Sequence, residues 1–285
     1  MTTCNLAPPT DDGLYIADDV GPWTEDKHAL LSLYETLFST GMKNRWDTRV
    51  YIDLYSGPGV LRVRGSGKLL WGSPILAMQV KDPFDKYIVC ETNAVALNAL
   101  RERAKRLFPR TDVSYVEGDS NEKVDEICAH IPTHGSSKKV LSFCFVDPYD
   151  LSVKFSTIRT ISGRFVDFLI LLAFGMDGGR NLQHYLDPEN LKIDEFLGLS
   201  DWRSRWAKRD ADERISFPKF LAESYASQMQ TLRYLPVPFH QMKQIRSDAK
   251  NLPLYHLALF SRHKLAFQYW QEVLKYGTSQ LSLDI

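Results

Sequence analysis

Four acidic residues stand at the ends of four apolar, strand-like runs of the chain: Asp53, Glu91, Asp119 and Asp147. In a parallel sheet the carboxyl ends of the strands meet at one edge, and α/β proteins bind their ligands there. Carboxylates at that edge can accept hydrogen bonds from ammonium, hydroxyl or amino groups. The spacing of these acids therefore predicts one polar binding site built from several strand ends.

A turn rich in small residues follows the first of these runs. Gly57 and Gly59 flank Pro58, and glycine can adopt positive φ and let a bulky ligand approach the main chain. We predict that Asp53, Tyr55, Gly57 and Gly59 contact a cofactor. An ordinary strand-to-loop turn stays open as the alternative, because glycine and proline punctuate most loops.

The next two acids have more specific predicted roles. Glu91 ends the run from Asp85, and one carboxylate at the end of a second strand can accept from both hydroxyls of a ribose. Asp119 ends the run from Val113 and is placed where an adenine amino group could donate to it. The alternative for Asp119 is an Asx turn that caps a following helix.

The fourth apolar run, Val140 to Val146, leads into Asp147-Pro148-Tyr149. A carboxylate there can accept from a substrate N–H or O–H, the proline fixes the backbone, and the tyrosine ring can stack on a planar group. We predict that these three residues carry the catalytic role. A strand-terminating turn with Tyr149 packed on the core is the structural alternative.

Two further stretches could contact a substrate. Lys27 and His28 lie in the first turn of a helix for which Thr24 is the predicted N-cap and Gly41 the stop, although solvated helix residues are the more common case. Arg62 and Arg64 lie in a glycine-rich segment from Val60 to Gly72. That segment is predicted to be a mobile lid or substrate-side loop, and a solvated hairpin is the alternative. Ser73 after it is a predicted N-cap with Pro74 at the first helical position.

Strand-like and helical patterns alternate from residue 49 to residue 174. This order predicts a parallel sheet with helices on both faces, in a Rossmann-like α/β fold. The runs Leu232–Ile245 and Leu254–Phe260 are joined by a short connection, which permits only antiparallel pairing, and a helix from Leu265 to Lys275 follows. The loop from Gly175 to Asn181 emerges at the carboxyl edge and could wall the substrate cavity.

The chain is predicted to divide into a loosely held arm over residues 1–24 and a single α/β domain over residues 25–285. Within that domain, residues 182–230 read as a helical, tryptophan-rich insertion with interleaved basic residues. The insertion could bind a substrate such as RNA or a peptide. An amphipathic packing role is the favoured reading, because acidic residues neutralise much of the basic charge.

Composition limits the classes of partner. The 285 residues include 35 basic and 35 acidic side chains, so a nucleic-acid or membrane partner has no general electrostatic support. Cys4, Cys90, Cys128 and Cys144 lack metal-binding spacing and are expected to be reduced thiols in a cytoplasmic protein, and no metal is predicted. No basic-then-apolar leader and no apolar run of membrane-spanning length is found, so neither secretion nor membrane insertion is expected.

Five alternating strands followed by an antiparallel terminal pair resemble the class I methyltransferase fold, which uses S-adenosylmethionine. More specifically, the chain resembles the three-Cys-motif partner protein family, methyltransferase-like proteins named for a radical-SAM-like companion with three cysteines. The stretches that carry this resemblance are Trp23 with Lys27-His28, Tyr51-Ile52-Asp53 with Gly57-Pro58-Gly59, Gly72-Ser73-Pro74, Phe145-Val146-Asp147-Pro148-Tyr149, and Leu254-Tyr255-His256-Leu257 with Arg262-His263.

The resemblance implies S-adenosylmethionine as cofactor and the radical-SAM-like protein as partner. Asp53 would meet the cofactor's ammonium directly or through water, with the glycines near its methionine end, Glu91 on the ribose and Asp119 on the adenine. Tyr55-Ser56 stands where the family has an aromatic residue and alanine, and the glycine-rich segment is longer than the family's. These departures concern the shape of the lid.

Three alternatives remain for the function. The chain could be a non-catalytic accessory protein of the radical-SAM-like partner. It could methylate nucleic-acid bases, because Asp147-Pro148-Tyr149 is similar to the Asp/Asn-Pro-Pro-Tyr of enzymes that methylate exocyclic amines, although only one proline is present. A nicotinamide dehydrogenase is least favoured, because Gly57-Pro58-Gly59 does not complete the dinucleotide fingerprint.

Overall fold

The computed structural model describes residues 6–175, 181–213, 215–247 and 252–280. Ten strands are assigned in chain order: β1 (Ala17–Val20), β2 (Thr48–Asp53), β3 (Val60–Val63), β4 (Leu69–Trp71), β5 (Lys86–Glu91), β6 (Val113–Glu117), β7 (Val140–Val146), β8 (Val166–Leu172), β9 (Lys243–Ser247) and β10 (Leu252–Phe260). Seven of them form the main sheet, in the order β6-β5-β2-β7-β8-β10-β9.

The first five strands of that order are parallel, and β10 is antiparallel to both β8 and β9. This arrangement confirms the predicted fold class. Every residue of β2 and of β7 is buried, as expected for parallel strands that are covered on both faces. The chain order reverses between β2 and β7, and α/β sheets open a ligand-binding crevice at such a switch point.

Ten α-helices accompany the strands over the described residues: α1 (Thr24–Met42), α2 (Ser73–Met78), α3 (Ala94–Leu107), α4 (Val124–His130), α5 (Phe155–Ile161), α6 (Leu182–Leu186), α7 (Lys192–Leu197), α8 (Trp202–Glu213), α9 (Phe217–Thr231) and α10 (Lys264–Gln280). The N-caps of α1 and α2 are Trp23 and Gly72, one residue before the predicted Thr24 and Ser73. Gly41 lies inside α1, because its missing side chain leaves room for the ring of Tyr269 on α10.

The predicted insertion contains four helices, α6 to α9, and its aromatic residues pack inward. Trp202 is fully buried, and its indole N–H donates to Asp194 at 2.9 Å. Arg203 pairs with the same carboxylate at 2.8 Å. These contacts favour the packing interpretation of the basic residues, while the division of the chain into arm, domain and insertion stays a prediction.

A second, small sheet lies beside the main one. Strands β3 and β4 form an antiparallel hairpin within the segment predicted to be a loop, and β1 pairs with β3 in parallel. The hairpin alternative for residues 60–72 is therefore the observed one. Residues 17–20 belong to this sheet, which differs from the loosely held arm expected for residues 1–24, because sequence patterns do not reveal the partner strand.

The prediction of a strand from Leu232 to Ile245 is wrong over most of its length. Only β9 is a strand, and a short 3-10 helix at Phe239–Gln241 precedes it. Pro236 and Pro238 lack the N–H that a central strand requires, and Arg233 adopts a φ of 68°. None of the helices in the described part of the chain is long and apolar enough to cross a membrane.

Candidate functional site

A cavity of about 340 Å³ opens at the carboxyl edge of the main sheet. Its floor comes from the residues that follow β2, β5, β6 and β7, and its roof comes from the small sheet and the first turn of α1. Glu91, Asp119 and Asp147 all line it. Three of the four predicted strand-end acids therefore meet in one cavity.

Gly57 and Gly59 have different positions in the turn, although both have positive φ, +60° and +82°. Gly57 lines the cavity, and a Cβ built on it meets no atom within 4 Å. A Cβ on Gly59 would lie 2.9 Å from Leu100 and 3.1 Å from Ile75, below the cavity wall. Gly57 can therefore face a ligand, whereas Gly59 is required by packing rather than by the predicted ligand contact.

Glu91 connects the end of β5 to this turn. Its carboxylate accepts from the backbone N–H of Gly57 at 2.9 Å and from that of Asn93 at 2.8 Å. Two N–H donors fix the orientation of the carboxylate at the cavity wall. Glu91 thus holds the glycine turn in place and presents its charge to the cavity.

Asp119 forms the predicted Asx turn, and its contact with adenine stays a prediction. Its Oδ1 accepts from the backbone N–H of Asn121 at 2.7 Å, which is the predicted Asx turn. The same residue also lines the cavity. Asn121 in turn accepts from the N–H of Lys154 at 2.9 Å, which joins the ends of β6 and β7 across the site.

Asp53 lies below the cavity wall rather than in it, which differs from its predicted contact with a ligand. It is fully buried, and it accepts from the Tyr51 hydroxyl at 2.9 Å and from the backbone N–H of Tyr55 at 3.1 Å. Burial raises the pKa of Asp53 to about 6, and the hydrogen bonds from its neighbours oppose that rise. Burial, with the charge of Asp53 next, also raises the pKa of the neighbouring Glu35 well above its usual range.

Three residues of the cavity wall carry buried hydroxyls with no hydrogen-bond partner in the described part of the chain: Tyr55, Ser56 and Ser120. Burying an unpaired hydroxyl costs about 1–3 kcal/mol, so such groups are normally paired. Burial also raises the pKa of Tyr55 to about 12, so this hydroxyl keeps its proton. The three oxygens are not exposed to the cavity, so a ligand could pair with them only after the side chains turn. Sequence reasoning missed Ser56 and Ser120, although each is adjacent to a predicted residue.

Lys27 and His28 are buried in the site rather than solvated. The Lys27 ammonium donates to Asp147 Oδ2 at 2.5 Å. His28 Nδ1 lies 3.1 Å from the carbonyl oxygen of Trp71, which can only accept, so Nδ1 carries the hydrogen. Burial, with the Lys27 charge next, lowers the pKa of His28 to about 3, and the ring is neutral. Adjacent residues of α1 thus contact the floor and the roof of the cavity.

Aromatic rings line the outer part of the cavity. Tyr149 is 80% exposed there, so the packed alternative for this residue does not apply, and Pro148 lies beside it. Trp23 and the buried Tyr255 on β10 have ring centroids 6.4 Å apart. Tyr255 was missed as a site residue, although it lies in one of the stretches that carry the family resemblance.

Arg62 and Arg64 do not line the cavity. Arg62 pairs with Asp18 at 2.8 Å and with Asp11 at 3.5 Å on the outer side of the small sheet, and Arg64 is exposed. Side chains alternate along the strand, so Arg62 and Arg64 point away from the cavity, which is lined by Leu61 on the opposite face. Residues 176–180, which make up most of the loop predicted to wall the cavity, lie outside the described residues.

Within the described ranges, no group of three or more His, Cys, Asp or Glu side chains is arranged to hold a metal ion. Cys90, Cys128 and Cys144 are free thiols, and Cys4 lies outside the described residues. Burial raises the pKa of the Cys90 thiol to about 12.

Comparison with known proteins finds similarity only among solved structures: no family model matches the chain, and no curated protein matches it. Trm1 from Pyrococcus horikoshii with S-adenosyl-L-methionine is 10% identical, with a TM-score of 0.44 over 93% of this chain and 61% of that one. Geranyl diphosphate methyltransferase in complex with SAM is 12% identical, with a TM-score of 0.40 over 80% and 85%.

The plantazolicin methyltransferase BamL in complex with a desmethyl analogue and SAH is 11% identical, with a TM-score of 0.39 over 84% of this chain and 86% of that one. Identities and scores at this level assign no residue and no activity. The fold is therefore assigned from the strand order and strand directions of the structure itself.

Proposed function

We propose that this chain is an S-adenosylmethionine-dependent methyltransferase. The observation that carries the proposal is that Gly57, Glu91 and Asp119 line one cavity at the carboxyl edge of the main sheet. The cavity is at the edge of the sheet where α/β proteins bind nucleotide-like ligands.

The residues present fit this cofactor. Gly57 gives the ligand access to the main chain, Glu91 can accept from a ribose diol, and Asp119 can accept from an adenine amino group. Ser120 and Tyr55 add hydroxyls that both donate and accept. Asp53 supports the turn from below through the N–H of Tyr55. S-adenosylmethionine would supply an activated methyl group on its sulfonium.

The acceptor half of the cavity orients a nucleophile. Lys27 holds Oδ2 of Asp147, and a carboxylate has a second oxygen that can accept from an acceptor N–H or O–H. The exposed ring of Tyr149 can stack on a planar acceptor, with Pro148 fixing the backbone between them. Methyl transfer requires an aligned nucleophile, and this arrangement supplies alignment.

Isothermal titration calorimetry with S-adenosylmethionine tests the proposal. We expect one site per chain, and we expect Glu91→Gln to weaken the affinity about 10-fold or more because it removes a charged acceptor. Glu117→Gln is the matched control, since Glu117 is the register partner of Glu91 on β6 and is exposed. Absence of binding by the intact protein would sink the idea, as would equal losses in the two variants.

We also propose that the chain acts in the cytoplasm with a three-Cys-motif radical-SAM-like partner. The support is the resemblance of the stretches around Trp23, Asp53, Ser73, Asp147 and Tyr255 to the partner family, and four of these five residues line the cavity. Co-purification of the tagged chain with that three-cysteine protein tests this part. Recovery of the chain alone, with the candidate partner co-expressed, would count against it.

A nucleic-acid base is the second candidate acceptor, and the 80% exposure of Tyr149 at the cavity mouth favours it. A ring in that position can stack on an unpaired base. Affinity for single-stranded DNA or RNA should then fall steeply with added salt, and Tyr149→Ala should reduce it. Salt-independent binding, or binding unchanged in Tyr149→Ala, would remove this candidate.

A further inference from the structure

Arg103 is the one fully buried cation on α3, whose other basic residues, Arg101, Lys105 and Arg106, are exposed. Burying an arginine is costly unless its N–H groups are paired. The sequence pattern assigns the basic residues of this helix to solvent. The burial of Arg103 therefore needs an explanation in the contacts of its guanidinium group.

The guanidinium of Arg103 joins two parts of the candidate site. Its Nη1 donates to the carbonyl of Pro58, in the glycine turn, at 2.7 Å and to that of Tyr15 at 2.8 Å. Its Nε and Nη2 donate to the two carboxylate oxygens of Asp12 at 3.0 and 2.6 Å. This bidentate geometry is the strongest arrangement for an arginine and a carboxylate. One side chain thus connects the glycine turn with the N-terminal arm.

Asp12 is the residue of the N-terminal arm that pairs with Arg103. Its side chain is 11% exposed, and it also accepts from Arg106 at 2.6 Å. The hydrogen bond from Arg103, partly opposed by burial, holds the pKa of Asp12 well below its usual range. Asp12 is therefore charged under all ordinary conditions, and the ion pair is permanent in the folded state.

The arm that Asp12 anchors forms part of the cavity. Only residues 13–16 separate Asp12 from β1, whose Ala17 and Val20 line the roof. The N–H of Arg64 donates to the carbonyl of Val20 at 2.9 Å, so β1 is hydrogen-bonded to the β3–β4 hairpin. The segment from Asp12 to Val20 therefore connects the ion pair of Arg103 with the roof of the cavity.

We propose that Arg103 and Asp12 are positioning residues of the cofactor site. Arg103 holds the Pro58 carbonyl of the turn whose Gly57 N–H donates to Glu91, and Asp12 holds the arm so that β1 closes the cavity. The ligand's identity rests on the proposed function, whereas the connection itself does not. Loss of the connection should open the roof and speed the release of a bound ligand.

Hydrogen exchange on the ligand-free protein tests the connection without any cofactor. In Asp12→Asn we expect residues 13–20 and 57–59 to exchange about tenfold faster or more, because the arm opens locally. Asp11→Asn is the matched control, since Asp11 is exposed, its contact with Arg62 is long at 3.5 Å, and an asparagine oxygen can still accept from the Gly13 N–H. Arg103→Lys, which keeps the charge but not the forked geometry, should behave like Asp12→Asn.

Two outcomes would overturn the proposal. One is exchange in Asp12→Asn equal to that in Asp11→Asn. The other is a uniform increase that includes β7, which would indicate a general loss of stability rather than positioning. If S-adenosylmethionine binds the intact protein, its dissociation rate should rise about tenfold in Asp12→Asn and stay unchanged in Asp11→Asn. Failure of the intact protein to bind would contradict the proposed function and leave the exchange result to decide this inference.

Discussion

Two cavities of similar size lie at opposite edges of the same sheet. The carboxyl-edge cavity measures about 340 Å³, and the amino-edge cavity, between α1, α10 and the first residues of β7 and β8, measures about 290 Å³. The first is lined by carboxylates, hydroxyls and a glycine turn. The second is lined mainly by apolar side chains such as Phe38, Leu141 and Phe165, with Asp167 in its wall.

Cavity volume alone therefore does not identify the ligand site. Polar ligands bind at the carboxyl ends of parallel strands, and Glu91, Asp119 and Asp147 line the cavity at that edge. Matched substitutions at the two edges test this difference.

The largest expected effect is a difference in protein stability between alanine substitutions of two packed glycines, one near each edge of the sheet. Gly59→Ala combines a positive φ with a Cβ 2.9 Å from Leu100, and it should destabilise the protein by about 2–4 kcal/mol. In Gly41→Ala the new Cβ would lie 2.1 Å from the Tyr269 hydroxyl, so the ring must move, and the gain in helix propensity offsets only part of that cost; its effect should be about 1–2 kcal/mol. Urea denaturation measures both variants. Equal effects would show that the glycine turn is not specially constrained.

A smaller effect concerns pH and Asp53. Burial raises the pKa of Asp53 to about 6 in the folded protein, above the usual carboxyl value of 3.8, so the folded state binds more protons between these values. Stability contributed by this group is therefore present below pH 3.8 and is lost as pH rises toward 6. Asp53→Asn should gain stability over the natural protein as pH rises through that window. Urea denaturation at several pH values checks this, and a pH-independent difference would contradict it.

The smallest effect has opposite signs for stability and binding. Ser120→Ala removes an unpaired buried hydroxyl, so the free protein should be unchanged or more stable by up to about 1 kcal/mol. Cofactor affinity should nevertheless fall about fivefold. Tyr34→Phe is the control, because the Tyr34 hydroxyl is equally buried and unpaired but does not line the carboxyl-edge cavity. Loss of stability in Ser120→Ala without loss of affinity would give the serine a structural role only.

The fold could be predicted from the sequence because buried parallel strands are continuous apolar runs. The same regularity placed Glu91, Asp119 and Asp147 at one edge. The apolar pattern does not show which residues near a strand end face the cavity. Asp53 and Gly59 are predicted to contact the ligand, but both lie below the cavity wall. Serines such as Ser120 are too common to be singled out by type alone.

The arm could not be predicted, because its position depends on contacts between distant residues. Asp12 and Arg103 are 91 residues apart, and neither has a sequence pattern that indicates the other. The roof strand β1 likewise has only four residues and no strong periodicity. Residue propensities and hydrophobic patterns depend on neighbours in the sequence. They therefore do not predict short elements that are held in place by polar contacts between distant residues.

The central claim is that the carboxyl-edge cavity, and not the amino-edge one, holds S-adenosylmethionine. Hydrogen exchange with and without the cofactor product S-adenosylhomocysteine tests it most directly. We expect the ligand to slow amide hydrogen exchange in residues 54–59, 91–93 and 119–121 and to leave exchange in residues 262–269 unchanged. Protection confined to residues 262–269, or no protection at saturating ligand, would contradict it.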